Sequence, residues 1–275
     1  MREILAGWSA DLEPAWTAVL ADVDLDFDAI GRDLELEPWE PVFPARRGKR
    51  FPGAPAGAHM LRAFDGIAPD AVRCVVLGQD PYPEPGFATG RAFEAGNVAA
   101  WRELDKMFSK SVRAFLQLVV AARSGDSRYA DSFAAWHTTL TAVESGLVEL
   151  EPPDALAQRW VGQGVLLLNT SLTLSRFAVA VDPHQARGHL PLWRPLMQRV
   201  IAYLRDRGTP VVFLGFGDAA AATLRAAGLG EDAAAPCACV LRAHPAFAEQ
   251  VLGRDNPFEI CNRRLEAMGA APIAW

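Results

Sequence analysis

The stretch Gly78-Gln79-Asp80-Pro81-Tyr82 places an amide, a carboxylate and a phenol directly after the apolar run Val75-Val76-Leu77. Three further apolar runs end in a comparable way: Asn169 follows Gly164–Leu168, Gly215-Phe216-Gly217 follows Val211–Leu214, and Ala243-His244-Pro245 follows Cys239–Arg242. A short apolar run bounded by turn residues reads as a strand covered on both faces. In open parallel sheets, ligands bind just beyond the carboxyl ends of the strands. One carboxylate (Asp80), one imidazole (His244), two side-chain amides (Gln79, Asn169) and the rings of Tyr82 and Phe93 are therefore expected at one sheet edge. An aromatic plane with an Asn amide suits a planar heterocycle that has a donor–acceptor edge. A carboxylate without a neighbouring Ser or Cys nucleophile suits water activation or stabilisation of a positive centre. An imidazole opposite suits a leaving-group oxygen. Each residue has a plainer reading when taken singly: Asp80 before Pro81 as a turn, Asn169 as a cap, His244 as a structural histidine, and the two rings as core. Their convergence is what favours a site.

The elements that must bring these ends together alternate along the chain. The first strand is expected at Val72–Leu77, after a short helix at His59–Phe64. Helices are expected at Ser111–Arg123, with Val112, Phe115, Leu116, Val119 and Val120 on one stripe, and at Phe133–Leu147 and Ala155–Val161. Another spans Leu192–Arg205 behind Pro191. An alanine-rich helix is capped by Asp218 and ends at Gly228, and the last opens at Asn256-Pro257 and stops near Gly269. Strands separated by helices imply an α/β fold: a central, mostly parallel four-stranded sheet flanked by helices on both faces. Residues 1–275 read as a single domain, with 1–36 a peripheral helical segment and 38–58 a Pro/Gly-rich loop.

Composition narrows the function classes. The chain is 51% hydrophobic and carries a net charge of −6, which argues against a non-specific nucleic-acid coat. One basic run, Arg46-Arg47-Gly48-Lys49-Arg50, interrupts an acidic amino-terminal region; it reads either as a solvated loop or as a holder of a few phosphates. No stretch is long and apolar enough for a membrane span, and MREILAGWSADLEP lacks the apolar core of a secretory signal. Cys74, Cys237, Cys239 and Cys261 lack C-x-x-C spacing, so neither a metal site nor a disulfide framework is expected, and a reduced, cytoplasmic protein is. There is no Gly-rich dinucleotide or phosphate-loop motif.

The segment GQDPYPEPGFATGRAF resembles the water-activating motif of family-1-type uracil-DNA glycosylases, GVLLLNTSLTL resembles their uracil-reading strand, and AHPAF resembles the start of their DNA-intercalation loop. The similarity runs from about residue 38 to the carboxyl terminus. It implies that Asp80 positions the hydrolytic water and offsets the sugar's positive charge, and that His244 donates to uracil O2 as the base leaves. It implies that Gln79 lines the pocket, Tyr82 blocks a 5-methyl group, Phe93 stacks on uracil and Asn169 reads the uracil edge. Ser111 matches a phosphate-gripping serine, and the loop at 38–55 loosely matches a proline-rich DNA-compressing loop. Pro83 stands where the family has His, Glu94 where it commonly has Ser, and Ala246 and Ala248 where the intercalation loop has a phosphate-binding serine and a leucine wedge. Phe247, or alternatively Leu252, is the expected wedge. The implied protein is a monofunctional glycosylase that flips uracil out of single- or double-stranded DNA. It needs no cofactor, no metal and no membrane, and acts as a monomer. Two rivals are a non-catalytic binder of uracil or abasic DNA and an unrelated α/β hydrolase of free nucleosides.

Overall fold

The structure, a computed structural model, describes residues 1–30, 42–49, 51–106, 110–175 and 189–275. Four strands, each a near-continuous apolar run, form its central sheet. With a two-residue ribbon counted in chain order, the strands are β1 (Val42–Phe43), β2 (Cys74–Gly78), β3 (Val165–Asn169), β4 (Leu174–Ser175), β5 (Val211–Phe216) and β6 (Cys237–Arg242). The sheet order is β3-β2-β5-β6 and every neighbour pair is parallel. After β2 the chain moves outward to β3, and after β5 it moves the other way to β6. The order thus reverses between β2 and β5, where open α/β sheets take ligands beyond the carboxyl ends.

Side chains along each strand alternate between two hydrophobic layers, as the period of two requires. Cys74 and Val76 join the layer that holds Phe115, Trp160, Phe258 and Trp275, whereas Val75 and Leu77 join the layer of Trp16, Met60 and Trp193. The first layer is covered by α3 (Lys110–Ser124) and α9 (Pro257–Ala267), joined by the short α8 (Ala248–Val251), by Trp136 of α4 (Trp136–Glu144) and by Trp160 of α5 (Pro153–Val161). The second is covered by α2 (Pro14–Leu20), α6 (Leu190–Asp206) and α7 (Asp218–Ala226). The apolar stripe expected on α3 is buried throughout. Asn256 caps α9 by accepting from the Phe258 N–H at 3.0 Å.

Several expectations need correction. The amino-terminal segment is not peripheral: Leu5, Trp16 and Leu20 are fully buried, and the Trp16 indole donates to the Ile67 carbonyl at 2.7 Å. Its helices, α1 (Arg2–Leu5) and α2, are short, and 31–36 lie outside the described residues. The helix expected at 59–64 is a single 3₁₀ turn, Arg62–Phe64. α4 ends at Glu144 and leaves Leu147 exposed. Asp218 is the first residue of α7, and Gly217 holds the cap position without a side-chain bond. The ribbon of β1 with β4 has no counterpart in the sequence pattern. It stitches the loop that contains Val42 to the segment just beyond β3, in antiparallel register Val42↔Ser175.

Candidate active site

The carboxyl ends of β2 and β3 are tied to each other before they become a site. Gly78 and Asn169 are register partners. The Thr170 N–H donates to the Gly78 carbonyl at 3.1 Å, and the Ser171 N–H and Thr170 hydroxyl both donate to the Gln79 carbonyl, at 2.9 and 2.7 Å. The Gln79 amide donates to Asp80 Oδ2 at 2.8 Å, so the residue expected to line the pocket also orients the carboxylate. Asn169 is buried, and its Oδ1 lies so close over Gly78 that a Cβ there would meet it at 2.5 Å. The same Cβ would meet the Phe93 ring at 3.4 Å. Only glycine at 78 lets the amide and the ring close over the strand end.

Phe93 has φ 58°, a left-handed backbone that a bulky side chain rarely adopts and that costs on the order of 1–3 kcal/mol. Its ring is clamped: stacked on Phe115 with centroids 4.3 Å apart and 6° between planes, and edge-on to Phe216 at 5.3 Å. One face is thus occupied by Phe115, while the ring still borders a cavity of about 1160 Å³. That cavity is bordered by Gln79, Asp80, Tyr82, Phe93, Asn169 and His244 together, so every base-pocket residue expected from the sequence reaches one space.

His244 follows β6, and Gly217, φ 92°, follows β5 against it; a Cβ at 217 would meet the His244 Cβ at 3.1 Å. The Ala246 N–H donates to His244 Nδ1 at 3.2 Å. Burial pushes the imidazole pKa below its ordinary value. A neutral ring that accepts at Nδ1 carries its proton on Nε2, the atom left for a ligand. Tyr82 buries its hydroxyl while its ring borders the cavity. Burial drives the phenol well above its ordinary pKa, and the adjacent Ser111 hydroxyl offsets that only in part.

Beyond β3 lies a buried polar network. The Trp193 indole donates to the Thr173 hydroxyl at 2.8 Å, Thr173 pairs with His189 Nδ1 at 2.9 Å, and Nε2 pairs with Ser175 at 2.7 Å. Desolvation lowers the His189 pKa to about 4, so the ring is neutral. The network fixes the segment from which Leu174 and Leu190 reach the cavity wall.

The residues expected to meet DNA divide. Ser111 and Phe247 border the cavity, and Phe247 is 58% exposed. Leu252 is buried in the core, so the alternative wedge is excluded by packing. Arg46 is engaged elsewhere: it pairs with Asp11 and donates to the Ala6 and Gly7 carbonyls. Arg47 pairs with Asp65 at 2.5 Å and donates to the Asp11 carbonyl at 3.0 Å. Lys49 is exposed, while Arg50, like Ser109, Pro38 and Pro41, lies outside the described residues. Sequence reasoning missed the roles of Gly78, Gly217, Phe115 and Phe216. The glycines at the strand ends were the available signal; nothing local marks Phe115 as the partner of Phe93.

No family model matches the chain. Uracil-DNA glycosylase 1 of Streptomyces avermitilis is 32% identical over 266 residues, covering 96% of this chain and 95% of that protein. The uracil-DNA glycosylase of Mycobacterium ulcerans is 30% identical over 268 residues with the same coverage. Among solved structures, mimivirus uracil-DNA glycosylase superposes with a TM-score of 0.62 at 17% identity, covering all of this chain and 91% of that one. A mutant of the UNG from Nitratifractor salsuginis also gives 0.62, at 20% identity and 97% and 96% coverage. The structural likeness carries the fold, and the sequence likeness, spread over nearly the whole of both proteins, carries the lineage: the chain belongs to the uracil-DNA glycosylase family.

Proposed function

We propose that the protein is a monofunctional glycosylase that extrudes uracil from DNA and hydrolyses its N-glycosidic bond, the first step of base excision repair. The observation that carries this reading is the single cavity shared by Asp80, Asn169, Phe93 and His244. A base inside a duplex cannot reach such a cavity unless its nucleotide swings out, at a cost of a few kcal/mol. Uracil then lies on the free face of Phe93, its N3/O4 edge against the Asn169 amide. A site built for that edge rejects cytosine because its own buried groups lose their partners. As the C1′–N1 bond breaks, its electron pair goes to uracil and positive charge grows on the sugar. Asp80, oriented by Gln79, stabilises the sugar and positions the water whose oxygen bonds to C1′. The His244 Nε2–H donates to uracil O2. In a water-poor site each charge term is worth a few kcal/mol. Pure binding needs neither Asp80 nor His244, which favours turnover over the non-catalytic alternative.

Tyr82 closes the space beside uracil C5, Ser111 meets a flanking phosphate, and Phe247 fills the gap left in the base stack. None of the described lysines, Lys49, Lys106 and Lys110, borders the cavity, which supports a mechanism without a Schiff base. The protein acts as a one-domain monomer on single- or double-stranded DNA. Four buried free cysteines support a reducing compartment such as the cytoplasm. Among the described residues no helix is long and apolar enough to cross a membrane.

Incubation with a uracil-containing oligonucleotide should yield free uracil and abasic sites that break only on alkaline treatment. Intact oligonucleotide with retained binding would leave the non-catalytic reading. The neutral His244 also fixes a pH dependence. Its folded pKa is depressed, so the Nε2–H donor form is fully present above the ordinary imidazole range. Single-turnover rate should therefore hold as pH rises through about 7 to 8, just above the ordinary imidazole value, and a fall there would mean that a protonated imidazole is required.

A further inference from the structure

The residue after Phe93 is a carboxylate, and it is buried. The Glu94 side chain keeps 5% of its surface and that of Arg91 keeps 3%, with the two facing each other at 3.6 Å. Arg62 approaches the same Glu94 oxygen at 3.5 Å. Arg91 is held in turn by the Asp65 carbonyl at 3.3 Å and the Gln158 side chain at 3.2 Å. Charges this deep are costly unless paired, and a pair gains little over apolar residues of the same shape, so stability alone does not account for this cluster.

Phe93 supplies a reason. Its left-handed backbone must be over-determined by what flanks it. On one side the Ala92 N–H donates to the Leu167 carbonyl of β3 at 3.1 Å. On the other, the ion pair anchors Glu94. With both ends held, the Phe93 ring lies parallel to Phe115 and borders the cavity. The Glu94 charge also acts on the buried Tyr82 phenol.

We propose that Glu94 is a positioning residue: its buried ion pair with Arg91 and Arg62 holds Phe93 in the left-handed conformation and so fixes the gap between Phe93 and Tyr82 that admits uracil and excludes its 5-methyl analogue. This rests on the glycosylase reading above. Without the anchor, residues 93–95 relax toward negative φ, the ring swings, and the slot widens while Asp80 and His244 keep their places.

The test compares the unaltered protein with Glu94→Gln and with the neutral pair Arg91→Met/Glu94→Gln, which removes both deeply buried charges and leaves only Arg62, 20% exposed and also bonded to the Ala56 carbonyl. Single-turnover release of uracil and of thymine is measured from otherwise identical single-stranded oligonucleotides, alongside a melting temperature. Uracil release should fall about tenfold in both variants, roughly 1.4 kcal/mol, and the thymine-to-uracil ratio should rise at least tenfold. The neutral pair should show the rise with a near-parental melting temperature. A ratio that does not rise overturns the proposal, whether thymine release stays undetectable or both rates fall together with the melting temperature. If Glu94→Gln does not fold, the neutral pair alone decides. Failure of the unaltered protein to release uracil overturns the glycosylase reading itself, and this proposal with it.

Discussion

On the floor of the cavity, Gln79, Asp80 and Asn169 stand on strand ends whose carbonyls are pinned by Thr170 and Ser171, and Phe93 is fixed between two other rings. On the rim, Phe247 is mostly solvent-exposed, Asp218 is exposed at the start of α7, and Lys110 pairs with Glu249 at 2.8 Å across the surface. The floor is over-determined and the rim is not. The floor must hold a small planar base against close competitors, which requires groups fixed before the ligand arrives. The contacts proposed for the rim are to a backbone that is the same at every nucleotide, where a few adjustable contacts suffice.

The sharpest way to break this comparison is at Asp80. Asp80→Asn keeps the size of the side chain but removes the charge proposed to oppose the cationic sugar. Single-turnover uracil release should fall about a thousandfold, on the order of 4 kcal/mol, with affinity for uracil-DNA within a few-fold of the parent because the loss is confined to the transition state. A loss of less than about tenfold would remove Asp80 from the mechanism.

Gly78→Ala tests the floor without touching a reacting group. The new methyl would sit 2.5 Å from Asn169 Oδ1, so the amide must turn or the strand end must shift. Uracil release should drop by roughly a hundredfold, about 2.7 kcal/mol, and discrimination against cytosine should weaken, since the amide proposed to read the uracil edge is displaced. Parental activity in this variant would show that the floor yields easily, and the contrast with the rim would lose its basis.

The sequence made the floor legible because each part is local: an apolar run that ends in a glycine or in residues able to do chemistry, at four places. The parallel sheet also followed, from the alternation of apolar runs with helices. What it hid was long-range. Phe115 backs Phe93 from the middle of α3, and Trp16 enters the core from a segment expected to be peripheral. The run 46–50 shows the same dependence on distant residues. Cations adjacent in sequence looked like a patch, yet Asp11 and Asp65, remote along the chain, had already taken two of them.

A smaller effect is expected at Phe247. Extrusion leaves a hole in the base stack, and an apolar side chain placed there holds the nucleotide out. Ala248 is small and buried, Leu252 belongs to the core, and Phe247 stands free at the cavity mouth. Phe247→Ala should slow release from duplex DNA about tenfold and from single strands by no more than about twofold, the difference being roughly 1 kcal/mol. Equal losses on the two substrates would place Phe247 in the pocket or in folding instead.

The smallest change in DNA binding is expected at Arg46, and its smallness is informative. Burial alone would raise the Asp11 pKa, but hydrogen bonds from the Arg46 guanidinium and the Arg47 N–H outweigh that and hold the carboxyl below its ordinary value. Both side chains of the Arg46–Asp11 pair are largely covered, 15% and 10% exposed, and Arg46 also binds two carbonyls of the amino-terminal segment. Arg46→Ala therefore takes the guanidinium from the Ala6 carbonyl, from the Gly7 carbonyl, which keeps the Ala10 N–H, and from the Asp11 carboxylate, which keeps only the Arg47 N–H, at a cost of about 2–3 kcal/mol. The melting temperature should fall by roughly 5 °C. The slope of log affinity for DNA against log salt, which counts phosphates neutralised, should not change, whereas Lys49→Ala should reduce it by up to about one unit. An Arg46→Ala protein with an undiminished melting temperature and a shallower slope would return this guanidinium to the DNA, and the rim would then hold a fixed phosphate contact of its own.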